Sequence, residues 1–346
     1  MELSDLLKLA LKKQASDLHL SSGLPPALRI NGQIEQINPT PLLSEQIKSM
    51  VYSIMSKALQ QKFKQNLTVD FAFTLPNLIR IRSNIFMQLH GISAVFRIIP
   101  HQIPSLVQLN CPPILKKITT YTKGLILVTG SSGAGKSTTL AALIDYINSN
   151  TAQHILTIED PIEFIHHSKQ SIINQRELTT HTLSFAQALN AALREDPDII
   201  LIGELRDLST IRMALTAAET GHLVFATLHT ASAATTINRI IDVFPAAEKE
   251  MVRVMLSESL RAVIAQILLP RINNSGRVAF YEVMLVNTAL KNMIRENKLA
   301  QINSVIQTNQ QQGMQLLDQA LLLGVQHSII SPTTARPHLL YPDLLP

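Results

Sequence analysis

Apolar and polar positions along this 346-residue chain change rhythm at about residue 113. Before that point helical and alternating patterns are mixed. Leu6, Leu7, Ala10 and Leu11 recur at helical spacing behind Ser4, which can cap a helix running to Lys13. Residues 27–30 and 33–37 read as two short strands around Asn31-Gly32, a dipeptide suited to a type I′ turn. Ile47, Val51, Ile54, Met55 and Leu59 predict one amphipathic helix over residues 44–63. Alternating segments at 69–75, 78–89 and 93–99 are joined by Pro76-Asn77 and His90-Gly91, connections short enough to imply an antiparallel meander. Pro100, Pro104, Pro112 and Pro113 then punctuate a stretch that sustains neither helix nor strand, so residues 1–99 form a small α+β domain and residues 100–112 a linker.

From residue 113 short apolar runs alternate with helical segments, the signature of a mostly parallel sheet covered on both faces. The strand candidates are residues 125–128, 154–158, 199–202 and 223–226, and each ends in polar residues. Ligands of open parallel sheets bind beyond the carboxyl ends of the strands, so these four endings are expected to converge. Asp207 can cap a helix to Thr220, with Gly221 as its left-handed terminator; Ser232 can cap the next, which Pro245 ends. Beyond Pro270 the pattern is mainly helical, and residues 331–346, with four prolines, read as a loose extension.

Composition narrows the function classes. Hydrophobic residues make up 46% of the chain, yet no apolar run approaches the about 18 residues a spanning helix needs, and the start lacks a signal-peptide pattern; a cytosolic protein is expected. The single cysteine, Cys111, excludes a disulfide framework and a four-cysteine zinc site within one chain. The net charge of +5 comes from scattered Lys and Arg, and with no tryptophan and 4% aromatic residues there is little material for stacking nucleic-acid bases.

The candidate chemistry begins at GLILVTGSSGAGKSTT, where an apolar run breaks into glycines and then a helix-forming segment. Gly130, Gly135, Lys136 and Ser137 fill the fixed positions of G-x-x-x-x-G-K-[ST], with Gly133 inside the loop. Such a loop curls successive N–H groups of Gly130, Ser131, Ser132, Gly133, Ala134, Gly135 and on to Thr138 around phosphate oxygens at a helix N-terminus. Lys136 would reach the β- and γ-phosphates of ATP, and the Ser137 hydroxyl would bind Mg²⁺. Glu159-Asp160-Pro161-Ile162-Glu163 follows the second strand: Glu159 or Asp160 can orient the metal shell, and Glu163 can act on the attacking water. The third strand finishes in Gly203-Glu204, where other phosphate-loop ATPases commonly end in Asp-Glu, so Glu204 must act alone. Of the two histidines that bracket the fourth strand, His229 lies at the ligand-facing end and can sense the γ-phosphate, whereas His222 precedes the strand. Arg80 and Arg82, two apart on a strand, share a face; with Arg97 they are guanidinium groups that another domain or subunit could deliver to a phosphoryl group.

GSSGAGKSTT, ILTIEDPIEF, REDPDIILIGELRD and TGHLVFATLHTASA stand in one order, and together they resemble the Walker A, Asp box, Walker B and His box of the secretion ATPase superfamily, specifically the type IV pilus retraction ATPases of the PilT family. The likeness runs from ASDLHLSSGLPP to GMQLLDQAL. It implies a PAS-like N-terminal domain followed by a RecA-like phosphate-loop ATPase domain over residues 113–330, assembled as a homohexamer that hydrolyses ATP with Mg²⁺ to withdraw pilin. The implied partners are a pilus platform protein of the inner membrane and a paralogous retraction ATPase, with the motor peripheral to the cytoplasmic face. By position Glu163 matches the catalytic Asp-box glutamate, Glu204 the Walker B glutamate, His222 and His229 the His-box pair, and Arg80, Arg82 and Arg97 the arginines that approach the nucleotide. His90 departs from an arginine usual in relatives, and ALKNMIRE over residues 289–296 matches the family's AIRNLIRE with three conservative changes. A pilus-assembly or type II or IV secretion ATPase and a nucleotide-gated adaptor are the rival expectations.

Overall fold

The computed structural model describes residues 2–30, 32–75, 79–99, 102–273 and 276–345. The turn dipeptides at Asn31 and Pro76-Asn77, and Pro100, therefore lie outside the described residues in whole or part. Two compact units emerge: residues 1–102 with the segment Pro161–Ile165, and residues 103–160 with 166–346.

The first unit contains α1 (Leu3–Lys12), β1 (Asp17–Ser21), β2 (Ala27–Ile30), β3 (Gln33–Gln36), α2 (Ser44–Ile54), α3 (Lys57–Asn66), β4 (Thr68–Leu75), β5 (Ile79–Gln88) and β6 (Gly91–Ile99). Its strands form an antiparallel sheet in the order β3-β2-β1-β6-β5-β4, so the expected meander is present as β4-β5-β6. Leu7, Leu18, Leu28, Ile47, Val51, Ile81 and Phe96 fill its core. Two helix expectations need correction. Ser4 lies inside α1, whose N-cap is Glu2 without a side-chain cap. The single helix expected over residues 44–63 is two, because Met55 is extended (ψ 131°) and the Ser56 hydroxyl caps α3 by accepting from Leu59 N–H.

The second unit holds α4 (Ile114–Ile118), β7 (Gly124–Thr129), α5 (Lys136–Asn150), β8 (His154–Glu159), β9 (Ile172–Glu177), α6 (Phe185–Ala192), β10 (Ile199–Ile202), α7 (Leu208–Glu219), β11 (Leu223–Leu228), α8 (Ala233–Asp242), α9 (Lys249–Ser259), β12 (Leu260–Pro270), β13 (Arg277–Leu285), α10 (Thr288–Arg295), α11 (Ile302–Thr308), α12 (Leu317–Gln326) and α13 (Pro332–Ala335). The sheet order is β13-β12-β7-β11-β10-β8-β9, parallel throughout except for the antiparallel pair β12 and β13. Every residue of β7, β10 and β11 is buried, which explains their unbroken apolar runs: helices cover both faces and no position meets water. Asp207 and Ser232 cap α7 and α8 as expected, each accepting from the N–H three residues on.

This unit departs from the sequence expectations in three places. β13 lies in a region read as mainly helical, and β9 and β12 were not anticipated. The linker expected over residues 100–112 is largely part of the second unit, with Leu106 buried in its core. The tail is docked rather than loose. Ala335, Leu339 and Leu345 are buried with Leu269, Phe280 and Leu321, and the Asp318 carboxylate accepts from the N–H groups of Leu340 (2.9 Å) and Tyr341 (3.1 Å). Removing a carboxylate that satisfies two backbone donors costs about 2 kcal/mol. Asp318→Ala should therefore lower the urea midpoint by that equivalent and open the tail to limited proteolysis; an unchanged midpoint with a protected tail contradicts the tether.

Candidate active site

The carboxyl ends of β7, β8, β10 and β11 come to one edge of the sheet because the strands run parallel in register, with Ile202 beside Ile158 and Ala226, and Leu228 beside Thr129. After Thr129 the chain turns at Gly130 (φ 146°), passes Gly133 (φ 77°) and Gly135 (φ 88°), and enters α5 at Lys136. A Cβ on Gly130 would stand 2.3 Å from the Gln266 carbonyl oxygen of β12, so only glycine permits this approach. Gly135 occupies the N-cap of α5 with no side-chain cap, leaving the positive end of a 15-residue helix to the loop. Ser131, Ser132 and Gly133 are exposed, Ala134 is buried, and Ser137 and Thr138 are half-buried in the first helical turn.

Lys136 is buried, and its Nζ donates to the carbonyls of Gly130 (2.8 Å) and Ser131 (2.9 Å) and lies 3.3 Å from His229 Nδ1. The other ring nitrogen, Nε2, is 3.1 Å from Glu204 Oε1. These contacts fit a neutral imidazole with its proton on Nε2, which donates to the carboxylate while Nδ1 accepts from the ammonium. Glu204 Oε2 is bound in turn by Arg206 at 2.7 Å. A cation, an imidazole and a carboxylate thus form a line at the loop mouth, drawn from the ends of three elements.

The backbone between these groups is tightly held. Gly203 N–H donates to Ile158 O, Leu205 N–H to Thr227 O, and the Thr227 hydroxyl to Gly203 O. A side chain at 203 would bring its Cβ to 3.3 Å from Glu159 Cα, tighter than ordinary packing. A larger residue at 203 would require the β8 backbone to give by a few tenths of an ångström.

Glu159 accepts from the Thr157 hydroxyl (2.7 Å) and the Gln175 amide (3.2 Å) at the end of β8. Glu163 lies in the Pro161–Ile165 segment, which belongs to the first unit. Arg80 and Arg82 share a face of β5 in that unit as the alternation required; Arg80 Nε donates to Ile162 O, and Arg97 is paired with the buried carboxylate of Asp17 at 2.9 Å. His222 precedes β11, at the end of the sheet remote from the loop and about 20 Å along the strand from His229. Its Nδ1 is 3.1 Å from Ala217 O. Within one chain the structure therefore separates His222 from the group it was expected to join.

Three participants escaped the sequence reading. Arg206 is signalled only by standing two residues after Glu204. Gln266, 2% exposed, was legible as the one amide inside the apolar run LRAVIAQILLP; its side chain bridges Ala134 O (2.7 Å) and Thr139 Oγ1 (2.8 Å). Glu282 on β13 accepts from Ala233 N–H at 2.7 Å, fixing the start of α8 just past the His229 loop.

The family model for type II/IV secretion system proteins matches residues 2–331. This chain belongs to that family. The chain is 52% identical over 336 residues, 97% of each sequence, to the type IV pilus retraction ATPase PilT of Pseudomonas aeruginosa. It is 57% identical over 311 residues, 90% of this chain and 83% of the relative, to a twitching motility protein of Neisseria gonorrhoeae. The crystal structure of the pilus retraction motor PilT with bound ADP superposes with a TM-score of 0.91 at 45% identity, covering 100% of this chain and 99% of that one. The secretion ATPase family thus accounts for the order of motifs around the loop, and the fold with its mostly parallel sheet agrees with the expected class.

Burial pushes the Glu282 carboxyl above the ordinary carboxylate range against the pull of the Ala233 and Leu317 N–H groups. A group with a raised folded value takes up a proton on folding. Its contribution is complete at low pH and is lost as pH rises through the raised value. Glu282→Gln should accordingly gain stability relative to the parent as pH rises above the ordinary carboxylate range, whatever its offset, in urea titrations; parallel pH curves contradict the assignment.

Proposed function

We propose that this chain is a motor ATPase that binds ATP with Mg²⁺ at the Gly130–Ser137 loop, hydrolyses it, and uses the cycle to withdraw type IV pilus subunits. The observation that carries the reading is the Lys136–His229–Glu204 line at the loop mouth. The loop from Gly130 through Thr138 offers backbone N–H groups and a helix N-terminus to phosphate, and Lys136 adds a cation. Mg²⁺ would be held by the Ser137 hydroxyl and by Glu204 and Glu159 through its water shell, an all-oxygen donor set that suits a hard cation. Bound there, the ion neutralises charge on the β- and γ-phosphates. His229 Nδ1 accepts a hydrogen bond from water at the terminal phosphate, and Glu204 orients His229 while Arg206 restrains Glu204. Glu163 acts as the base for the attacking water, and Arg80, Arg82 and Arg97 offset charge on the transferring group.

The same reading assigns a homohexameric ring at the cytoplasmic face of the inner membrane, docked on a pilus platform protein and working with a paralogous retraction ATPase. No helix among the described residues is long and apolar enough to cross a membrane.

Purified protein should show Mg²⁺-dependent ATPase activity unaffected by DNA, and Lys136→Ala or Glu204→Gln should each reduce it by at least about 100-fold. Activity retained in both variants contradicts the site. In the source organism, deletion should give surplus surface fibres with loss of twitching; bald cells would mean assembly instead.

A further inference from the structure

Gln266 is the one amide in β12 and is flanked on both sides by apolar residues, and both ends of its side chain are used. Nε2 donates to Ala134 O inside the phosphate loop, and Oε1 accepts from Thr139 Oγ1 one turn into α5. Its backbone carbonyl is the group that excludes a side chain at Gly130, and its Nε2 would stand 2.9 Å from a Cβ on Gly135. One residue therefore touches both fixed glycines of the loop and braces the loop to its helix. Tyr281 lies directly across β12 and β13 from Gln266, and its hydroxyl meets Cys111 Sγ at 3.3 Å. The brace is anchored in the sheet, because Gln266 lies on β12 between β7 and β13.

We propose that Gln266 is a positioning residue for nucleotide phosphate, fixing the curvature of the loop by cross-linking Ala134 to Thr139. The inference rests on the proposed nucleotide site. An amide is required because the brace needs a donor toward the Ala134 carbonyl and an acceptor toward the Thr139 hydroxyl at one fixed reach. A glutamate would turn a carboxylate oxygen toward the Ala134 carbonyl, and a methionine of similar length supplies neither bond. Gln266 never meets the reacting atoms, so its loss weakens phosphate binding in ground and transition states alike.

The test uses the full-length protein and mant-ADP fluorescence titration, with ATPase kinetics and urea unfolding in parallel. Gln266→Met should weaken mant-ADP binding about tenfold and raise the KM for ATP about tenfold while kcat stays within about threefold, the loss expected of two buried hydrogen bonds. Thr139→Val should reproduce the effect, Thr139→Ser should restore parental affinity, and the double variant Gln266→Met/Thr139→Val should bind no more weakly than the worse single one. If Gln266→Met does not fold, the Thr139→Val and Thr139→Ser pair decides. Variants that lose stability yet bind mant-ADP like the parent overturn the inference, as do additive losses in the double variant. A parent protein that binds no mant-ADP would instead overturn the nucleotide site itself.

Discussion

Parallel strands in register deliver their carboxyl ends to one edge of a sheet, and the chemistry of this protein depends on that alignment. β7 hands the chain to the phosphate loop at Gly130, β10 presents Glu204 one residue past a crowded glycine, and β11 presents His229 directly beyond Leu228. A slip of one residue in any of them would turn its side chains to the opposite face. Because β7, β10 and β11 are buried on both sides, each such slip would exchange side chains between two packed layers and cost voids on one face and overpacking on the other. The geometry of the proposed site is thus a by-product of core packing.

At the loop mouth, charge is organised by exchange. The Lys136 ammonium has the Gly130 and Ser131 carbonyls and the His229 ring among its partners, and a phosphate oxygen approaching it competes with those acceptors. Because His229 is bonded to Glu204 through its other nitrogen, any shift of the lysine is felt at the carboxylate. In the proposed nucleotide site, this chain of contacts would link phosphate at Lys136 to the ends of β10 and β11.

How much of this was legible in the sequence follows from burial. Central strands advertised themselves as continuous apolar runs, and Asp207 and Ser232 marked helix starts because their side chains cap locally. β9, at the sheet edge with exposed Ile172, carries a mixed pattern that an isolated window does not distinguish from loop. β13 was hidden because an antiparallel return beside β12 resembles any other apolar stretch, and the break between α2 and α3 because Met55 kept the helical spacing while Ser56 capped a new helix. Of the site, Lys136 was readable from the glycine-loop motif, and Glu204 and His229 from their places after apolar strands. Arg206, Gln266 and Glu282 were not assigned, since their roles exist only through contacts with residues distant in sequence.

The most direct measurement of the central claim is a crystal structure of the protein with Mg²⁺ and a non-hydrolysable ATP analogue. The account predicts triphosphate seated in the Gly130–Ser137 loop, Lys136 Nζ moved from the Gly130 and Ser131 carbonyls onto phosphate oxygens, and Glu204 and His229 bordering the terminal phosphate. Nucleotide bound elsewhere, or Lys136 still bonded to both carbonyls with triphosphate present, would contradict it.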